Sequence, residues 1–359
     1  MLISVIIPTF RRGESLVILL RDLKGVYYAN FEIVVVDQTP EDEYCHQVYR
    51  ELKDLAESGL FRWIYYPRNF VYEARNYGAA VSTGDFLLWL DDDVRVGPDL
   101  FSRFAKCIRE NPDISIIQGG FAAENIFNDI SLENPYLDLQ EKIDQATIKT
   151  NDKKPDIQGK KSKLLKLKPE LQAFYCENAF KQPTKECTWI SANNMMVKRS
   201  TFDMLCGWDE YILNYGDRNL GIRAAKAGFK IHWYPYAAIV HLQAMSGGSR
   251  MSDPNNPIKG WKACVSTWYL AFRYLKYHPI AFCKFGIFKS ARYSFLLRKN
   301  FFPLNNLIYG LVSYVLAAFI GFFWSFLKPI SSYPMWRKQF LEGGGGNLPA
   351  PHPVKRVPQ

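Results

Sequence analysis

Hydrophobic residues in the first 120 positions fall alternately into unbroken runs and spaced ridges. Ile3 to Pro8, Phe31 to Asp37, Phe61 to Tyr66, Asp85 to Leu90 and Ile114 to Gln118 are runs of the kind a strand buried on both faces requires. Between them, Gly13 to Lys24 sets Leu16, Leu19, Leu20 and Leu23 on one side, which predicts an amphipathic helix. Glu41 to Glu57, Val71 to Val81 and Pro98 to Arg109 predict three more helices. Repeated strand and helix units imply an α/β fold with a mostly parallel sheet and helices on both faces. Ligands are then expected beyond the carboxyl ends of the strands.

The rhythm breaks over residues 125–185, a polar stretch with lysines from Lys153 to Lys168, which reads as a variable insertion. It resumes with residues 188–199, a helix that Gly228 should stop, and two short strands at 230–235 and 237–242. A catalytic domain is therefore expected over residues 1–245. Residues 246–300 are basic and aromatic, residues 301–342 form a hydrophobic helical segment, and a Gly- and Pro-rich tail covers 343–359. Leu307 to Leu327 lacks any charge, and as a helix it would be about 32 Å long, enough for a bilayer. Basic residues on both flanks give it no orientation. A span, a re-entrant helix, a helix in the membrane plane and a buried hairpin all remain open.

Composition narrows the partners. The net charge is +10, which suits a phosphorylated ligand, an anionic lipid surface or nucleic acid. No zinc-finger, helix-turn-helix or RNP pattern accompanies it, so nucleic acid is not expected as a partner. Seven scattered cysteines without a CxxC pair read as reduced thiols. The amino terminus lacks the pattern of a signal peptide, and the catalytic part is expected on the cytoplasmic side of a membrane.

The chemistry concentrates at Asp91, Asp92 and Asp93, directly after a buried run. Side chains alternate along a strand, so Asp91 and Asp93 should lean one way and Asp92 another. Carboxylates so crowded repel one another unless a cation sits between them, and a divalent ion would also grip a diphosphate. A solvated acidic turn is the alternative. Asp37 ends the second strand on the same rim, placed to accept hydrogen bonds from a base or ribose or else to open a turn. Arg75 precedes the acidic strand and could pair with Asp37, Asp91 or a phosphate.

Residues 5–12 (VIIPTFRR), 34–39 (VVVDQT), 74–93 (ARNYGAAVSTGDFLLWLDDD) and 207–241 resemble, in order and spacing, the GT-A inverting glycosyltransferases of family 2. The resemblance covers residues 2–245. It implies that Pro8, Thr9, Asp37, Arg75, Asp91 and Asp92 surround a nucleotide sugar. It further implies that Asp91, Asp93 and His241 hold Mn²⁺ or Mg²⁺, and that Trp208 and Asp209 face the acceptor. Asp217 falls on the family's catalytic base, although Gly216 stands where the family has Glu and Asn219 where it has a later Asp. On residues alone Asp217 could be a helix N-cap, and Asp209 and Glu210 are the other nearby carboxylates. The resemblance implies transfer of a hexose from a UDP- or dTDP-sugar to a saccharide, with a lipid-linked acceptor suiting the apolar segment. A processive synthase would need several spans and a QxxRW-type segment, which are absent from this sequence. A silent nucleotide-sugar binder is left open by Gly216 and Asn219. A dehydrogenase or serine hydrolase lacks its GxGxxG or GxSxG.

Overall fold

A computed structural model describes residues 1–40, 46–123, 186–187, 190–242, 257–277, 279–291, 303–327 and 330–343. The expected insertion at 125–185 and the tail beyond Gly343 lie outside the described residues.

The amino-terminal alternation gives β1 (Ile3–Thr9), α1 (Gly13–Lys24), β2 (Phe31–Asp37), α2 (His46–Glu57), β3 (Arg62–Tyr65), α3 (Val71–Val81) and β4 (Phe86–Leu90). These are followed by β5 (Val94–Val96), α4 (Leu100–Glu110) and β6 (Ile116–Ala123). Beyond residue 185 come β7 (Glu186–Cys187), β8 (Asn194–Lys198), α5 (Arg199–Met204), α6 (Gly216–Lys226) and β9 (Ile231–His241). The two short strands expected at 230–242 are this one strand, and the sheet takes up the irregularity as a register shift between Gly119 and Gly120 on β6.

The sheet order is β3-β2-β1-β4-β8-β6-β9-β5, with β7 on β9. The expectation of a mostly parallel sheet needs correcting. The β1, β2, β3 and β4 ladders and the β6–β9 ladder are parallel. However, β8 runs antiparallel between β4 and β6, and β5 runs antiparallel on β9. The strand-helix rhythm that implies parallel pairing ends at β6. The strands after it are separated from β6 by a long stretch of sequence, and the local alternation no longer predicts their direction.

Alternation along the central strands divides the core in two. Val5, Ile7, Val35 and Leu88 point to one side with Leu16, Leu20, Phe101 and Phe104. Ile6, Val34, Val36, Leu87 and Trp89 point to the other, with Tyr77 and Trp208.

The carboxyl-terminal region is helical. It comprises α7 (Pro257–Leu270), a π-helical turn (Ala271–Leu275), α8 (Pro279–Phe282), a second π-helical turn (Cys283–Lys289), α9 (Pro303–Trp324) and α10 (Tyr333–Glu342). Among the described residues, no helix is long and apolar enough to cross a membrane. Nor is 301–342 a single kind of segment. Tyr333 and Trp336 of α10 are each 1 % exposed, and the Trp336 ring meets Tyr66 and Tyr77 edge-on at 6.3 and 5.4 Å. α10 therefore closes one side of the sheet's core, while α9 packs on α7 outside it.

Candidate active site

The acidic turn is anchored through its middle member. Asp92 is buried; its Oδ2 accepts from Thr9 Oγ1 at 2.7 Å and its Oδ1 from Arg12 at 2.9 Å. Arg12 also pairs with Asp93 Oδ2 at 3.1 Å. Burial pushes the Asp92 carboxyl up to about 6, against the opposing pull of Arg12 and Thr9. Thr9 ends β1 and Arg12 precedes α1, so the first βα turn holds the acidic turn in place.

Fixing Asp92 inward leaves its neighbours to the other side. The β5–β9 ladder sets His241 opposite Val94, and the Leu242 N–H donates to the Asp93 carbonyl at 2.8 Å. His241 Nε2 then lies 3.6 Å from both Asp91 Oδ2 and Asp93 Oδ1. One donor atom from each of the three lies within 4.8 Å of the others. A spacing of 3.6 Å is too long for a hydrogen bond, and two carboxylates and an imidazole around a small gap suit a divalent cation. The donor set fits a metal.

Asp37 sits on the same rim, paired in register with Thr9 and Tyr65. Its Oδ1 accepts from the Thr39 N–H at 2.9 Å and its Oδ2 from Trp63 Nε1 at 3.1 Å. Pro8 is buried one residue before Thr9 on β1.

Arg75 joins the acidic turn to the expected base. It projects from α3 and donates to Asp91 Oδ1 at 3.0 Å, while its other amino group lies 3.6 Å from Asp217 Oδ1. The guanidinium rests over the Trp208 ring at 5.1 Å, and that ring stacks on Tyr72 at 5.9 Å. Asp217 lies in the first turn of α6, whose N-cap is Tyr215 with φ +69°, so Asp217 is not itself the cap. Burial pushes its carboxyl up to about 6; Arg75 and the Ala192 N–H pull down while Asp91 pushes up. A carboxyl so placed can exchange a proton near neutral pH. Gly216 has no room for the family's glutamate, because a Cβ there would lie 2.1 Å from the Tyr72 ring. The Tyr72 hydroxyl accepts from the Gly216 N–H at 2.8 Å.

The remaining expected residues face inward. Asn76 clamps the Trp208 backbone, accepting from its N–H at 2.7 Å and donating to its carbonyl at 2.9 Å. Asp209, expected on the acceptor side, is 1 % exposed. It accepts from the Tyr269 hydroxyl at 2.6 Å, Asn219 Nδ2 at 3.1 Å and the Tyr211 N–H at 3.0 Å. Glu210 accepts from Asn76 at 2.7 Å and from the Ser332 N–H and hydroxyl at 3.0 Å. Asn219 replaces the family's acid usefully here, since its amide donates to Asp209 while its carbonyl accepts from Arg223 at 2.7 Å.

Sequence reasoning gave no role to Arg12, Tyr72 or Asn193. Leu90 pairs with Asn194 at the end of the β4–β8 ladder, and Asn193 directly precedes that pair. Its Oδ1 is buried without a hydrogen-bond partner, beside the Ala192 N–H that caps Asp217. Arg12 was legible as the basic end of VIIPTFRR, but Tyr72 and Asn193 carry no sequence signal of their own.

Residues 4–166 match the model of glycosyl transferase family 2. An uncharacterized glycosyltransferase of Haemophilus influenzae is 29 % identical over 121 residues, 32 % of this chain. The match spans only 37 % of that relative's length. TarS 1–349 of S. aureus in complex with UDP-GlcNAc superposes with a TM-score of 0.55 at 14 % identity, over 96 % of this chain and 92 % of that one. The mannosyltransferase PcManGT of Pyrobaculum calidifontis, in complex with GDP-Man and Mn²⁺, does so with a TM-score of 0.50 at 12 % identity, over 90 % and 88 %. The family's match runs through the anchored acidic turn, and a sheet of the same architecture continues to His241: residues 4–166 carry a glycosyltransferase family 2 match, and the chain shares the fold of these solved glycosyltransferases.

Proposed function

We propose that the chain is a metal-dependent inverting transferase that moves a hexose from a UDP- or dTDP-sugar to a hydroxyl of a saccharide, lipid-linked at the cytoplasmic face of a membrane. The observation that carries this reading is the line Asp93, Asp91, Arg75, Asp217, which joins a metal-type donor set to a raised carboxyl through one guanidinium. The solved neighbours carry a UDP-sugar in one case and GDP-Man with Mn²⁺ in the other, which supports a nucleotide-sugar donor and a divalent metal.

Asp91, Asp93 and His241 would hold the metal, Mn²⁺ or Mg²⁺, which when bound supplies positive charge against a diphosphate leaving group. Asp37 offers its carboxylate to the nucleoside. Asp217, ionised, takes the proton of the acceptor hydroxyl as that oxygen attacks the anomeric carbon from the face opposite the diphosphate, so configuration inverts. Arg75 keeps Asp217 beside the donor end of the site, and Asn193 offers an unpartnered amide oxygen to a sugar hydroxyl there.

The test is a screen of nucleotide sugars with Mn²⁺, followed by Asp217→Asn on the donor that turns over. Transfer should fall by about 10²–10⁴-fold, the usual worth of a general base, while calorimetric uptake of the nucleotide is unchanged. The wild-type rate should rise with pH through an apparent pKa near 6, because only the ionised carboxyl accepts a proton. A variant that loses nucleotide uptake together with transfer would show Asp217 to be structural.

A further inference from the structure

α9 buries its small residues and exposes its large ones. Gly310, Ala317 and Gly321 face inward, and a Cβ on Gly321 would come within 2.7 Å of the Trp268 Cβ and the Tyr269 nitrogen on α7. Glycine at 321 is what lets the two helices approach. Leu311, Val315, Leu316, Phe319, Phe323 and Phe326, by contrast, are between 50 and 64 % exposed and recur at the spacing of a single helical stripe. No charge interrupts the stripe. Soluble surfaces rarely leave an apolar patch much above a few hundred Å² uncovered.

The charge around this stripe is one-sided. From Pro254 to Leu341 the sequence holds twelve Lys and Arg and no Asp or Glu, so this stretch outweighs the whole chain's net +10. Lys276 and Lys284 are exposed on the turns beside α9. Phe272, four residues before Lys276, packs edge-on against Phe322 at 5.2 Å. Arg273 donates to the last carbonyls of α9, Ser325 at 3.2 Å and Leu327 at 3.1 Å. A second copy of the chain would bring like charge against like charge here, and the exposed Lys276 and Lys284 beside an apolar stripe complement an anionic lipid surface.

We propose that the outer face of α9, rimmed by the basic turns after α7, docks in the plane of an anionic membrane surface without crossing it. This surface stands independently of the donor reading, but it gives that reading an address. α7 lies between α9 and the stretch that carries Asp217. Ser266 accepts from the Leu213 and Asn214 N–H groups at 3.1 and 2.9 Å, Tyr269 donates to Asp209 at 2.6 Å, and Asn219 Nδ2 lies 3.3 Å from the Tyr274 hydroxyl. A chain docked through α9 therefore keeps its acceptor-side loop one helix layer from the lipid, where a lipid-linked saccharide would arrive.

The test is co-sedimentation of the full chain with vesicles of phosphatidylcholine, with and without phosphatidylglycerol, alongside light scattering without lipid. The wild type should pellet with the anionic vesicles. Phe319→Glu combined with Phe323→Glu should weaken this at least tenfold, and Lys276→Glu with Lys284→Glu at least threefold on anionic vesicles only. Both double variants should keep the wild-type thermal midpoint, since the four side chains are exposed. A wild type that pellets yet takes up neither UDP nor dTDP with Mn²⁺ would sink the donor reading and leave the docking surface standing. The proposal is overturned if the wild type stays in the supernatant, or if the phenylalanine variant pellets equally. It is also overturned by a discrete dimer that the same variant dissociates.

Discussion

The two ends of the acidic line are built differently. At the acidic-turn end, which we call the metal end after the proposal above, Thr9, Arg12, Asp91, Asp92 and Asp93 come from two strand ends and one turn, drawn together beyond the parallel β1–β4 ladder by hydrogen bonds to Asp92. At the base end, Asp217 depends on a buried polar web of Asn76, Asp209, Glu210, Asn219 and Arg223, tied by Tyr269, Tyr274 and Ser332 to the carboxyl-terminal helices. The first end is fixed by strand ladders on either side of the turn and by one compact buried cluster, Thr9 and Arg12 on Asp92. The second is fixed by side-chain hydrogen bonds in a low-dielectric setting, where one lost partner is costly.

The sharpest way to break this contrast is at Gly216. Gly216→Ala would drive a Cβ to within 2.1 Å of a Tyr72 ring already stacked on Trp208, so the ring or the start of α6 must move. Overpacking of this kind costs roughly 1–3 kcal/mol. A shift of about 1 Å at the base should lower transfer about 10²-fold. Metal uptake, measured by calorimetry with Mn²⁺, should not change, because no metal-end residue touches Gly216. Combining Gly216→Ala with Tyr72→Ala should recover part of the stability as a positive coupling in a double-mutant cycle. Equal loss of metal uptake would mean that the two ends are one cooperative unit.

That contrast also explains what could be seen in the sequence. Strands β1 to β4 and β6, with the helices between them, were legible because each strand is a short apolar run and each helix a spaced ridge, whereas the three-residue β5 was not. The sheet's second half was not, since β8 enters antiparallel and no local pattern encodes direction. The acidic triplet was legible, but it lies in a turn between β4 and β5 and Arg12 reaches both Asp92 and Asp93, so strand alternation describes their split only in part. His241 was placed by resemblance; the β5–β9 ladder that brings it to Asp93 joins elements far apart in sequence, one of them only three residues long. Asp209 and Glu210 looked like acceptor-side acids. Their burial depends on Tyr269 and Ser332, which a linear reading cannot bring to them.

Asn219→Asp should have a smaller effect. It restores the acid found in the family but sets a second carboxylate where Asn219 Nδ2 now donates to Asp209 at 3.1 Å. Losing that donor and adding a like charge should destabilise the fold by about 1–3 kcal/mol near neutral pH. Arg223 keeps its contact with the other oxygen, so folding should survive. A variant as stable as the wild type at pH 8, judged by urea midpoint, would show that Asp209 and residue 219 do not communicate.

The gentlest probe is the pH dependence of stability at Glu210. Burial pushes its carboxyl up to about 8, and the donors from Asn76 and Ser332 only partly offset this. A carboxyl with a raised folded-state pKa binds more protons folded than unfolded, so its contribution to stability is fully present at low pH. It is lost progressively as pH climbs from the unfolded value, near 4.5, through about 8. The wild-type thermal midpoint should therefore drift downward across that window, superimposed on the opposite drift of ordinary paired carboxylates. Glu210→Gln cannot ionise and should remove the downward component. Because its amide faces the Ser332 N–H with one donor too many, it should lie below the wild type at pH 5 and approach or pass it at pH 8. Parallel melting curves at every pH would mean that Glu210 stays charged in the folded chain. The contact between the Glu210 loop and the start of α10 would then be an ionic clamp rather than a protonated strut.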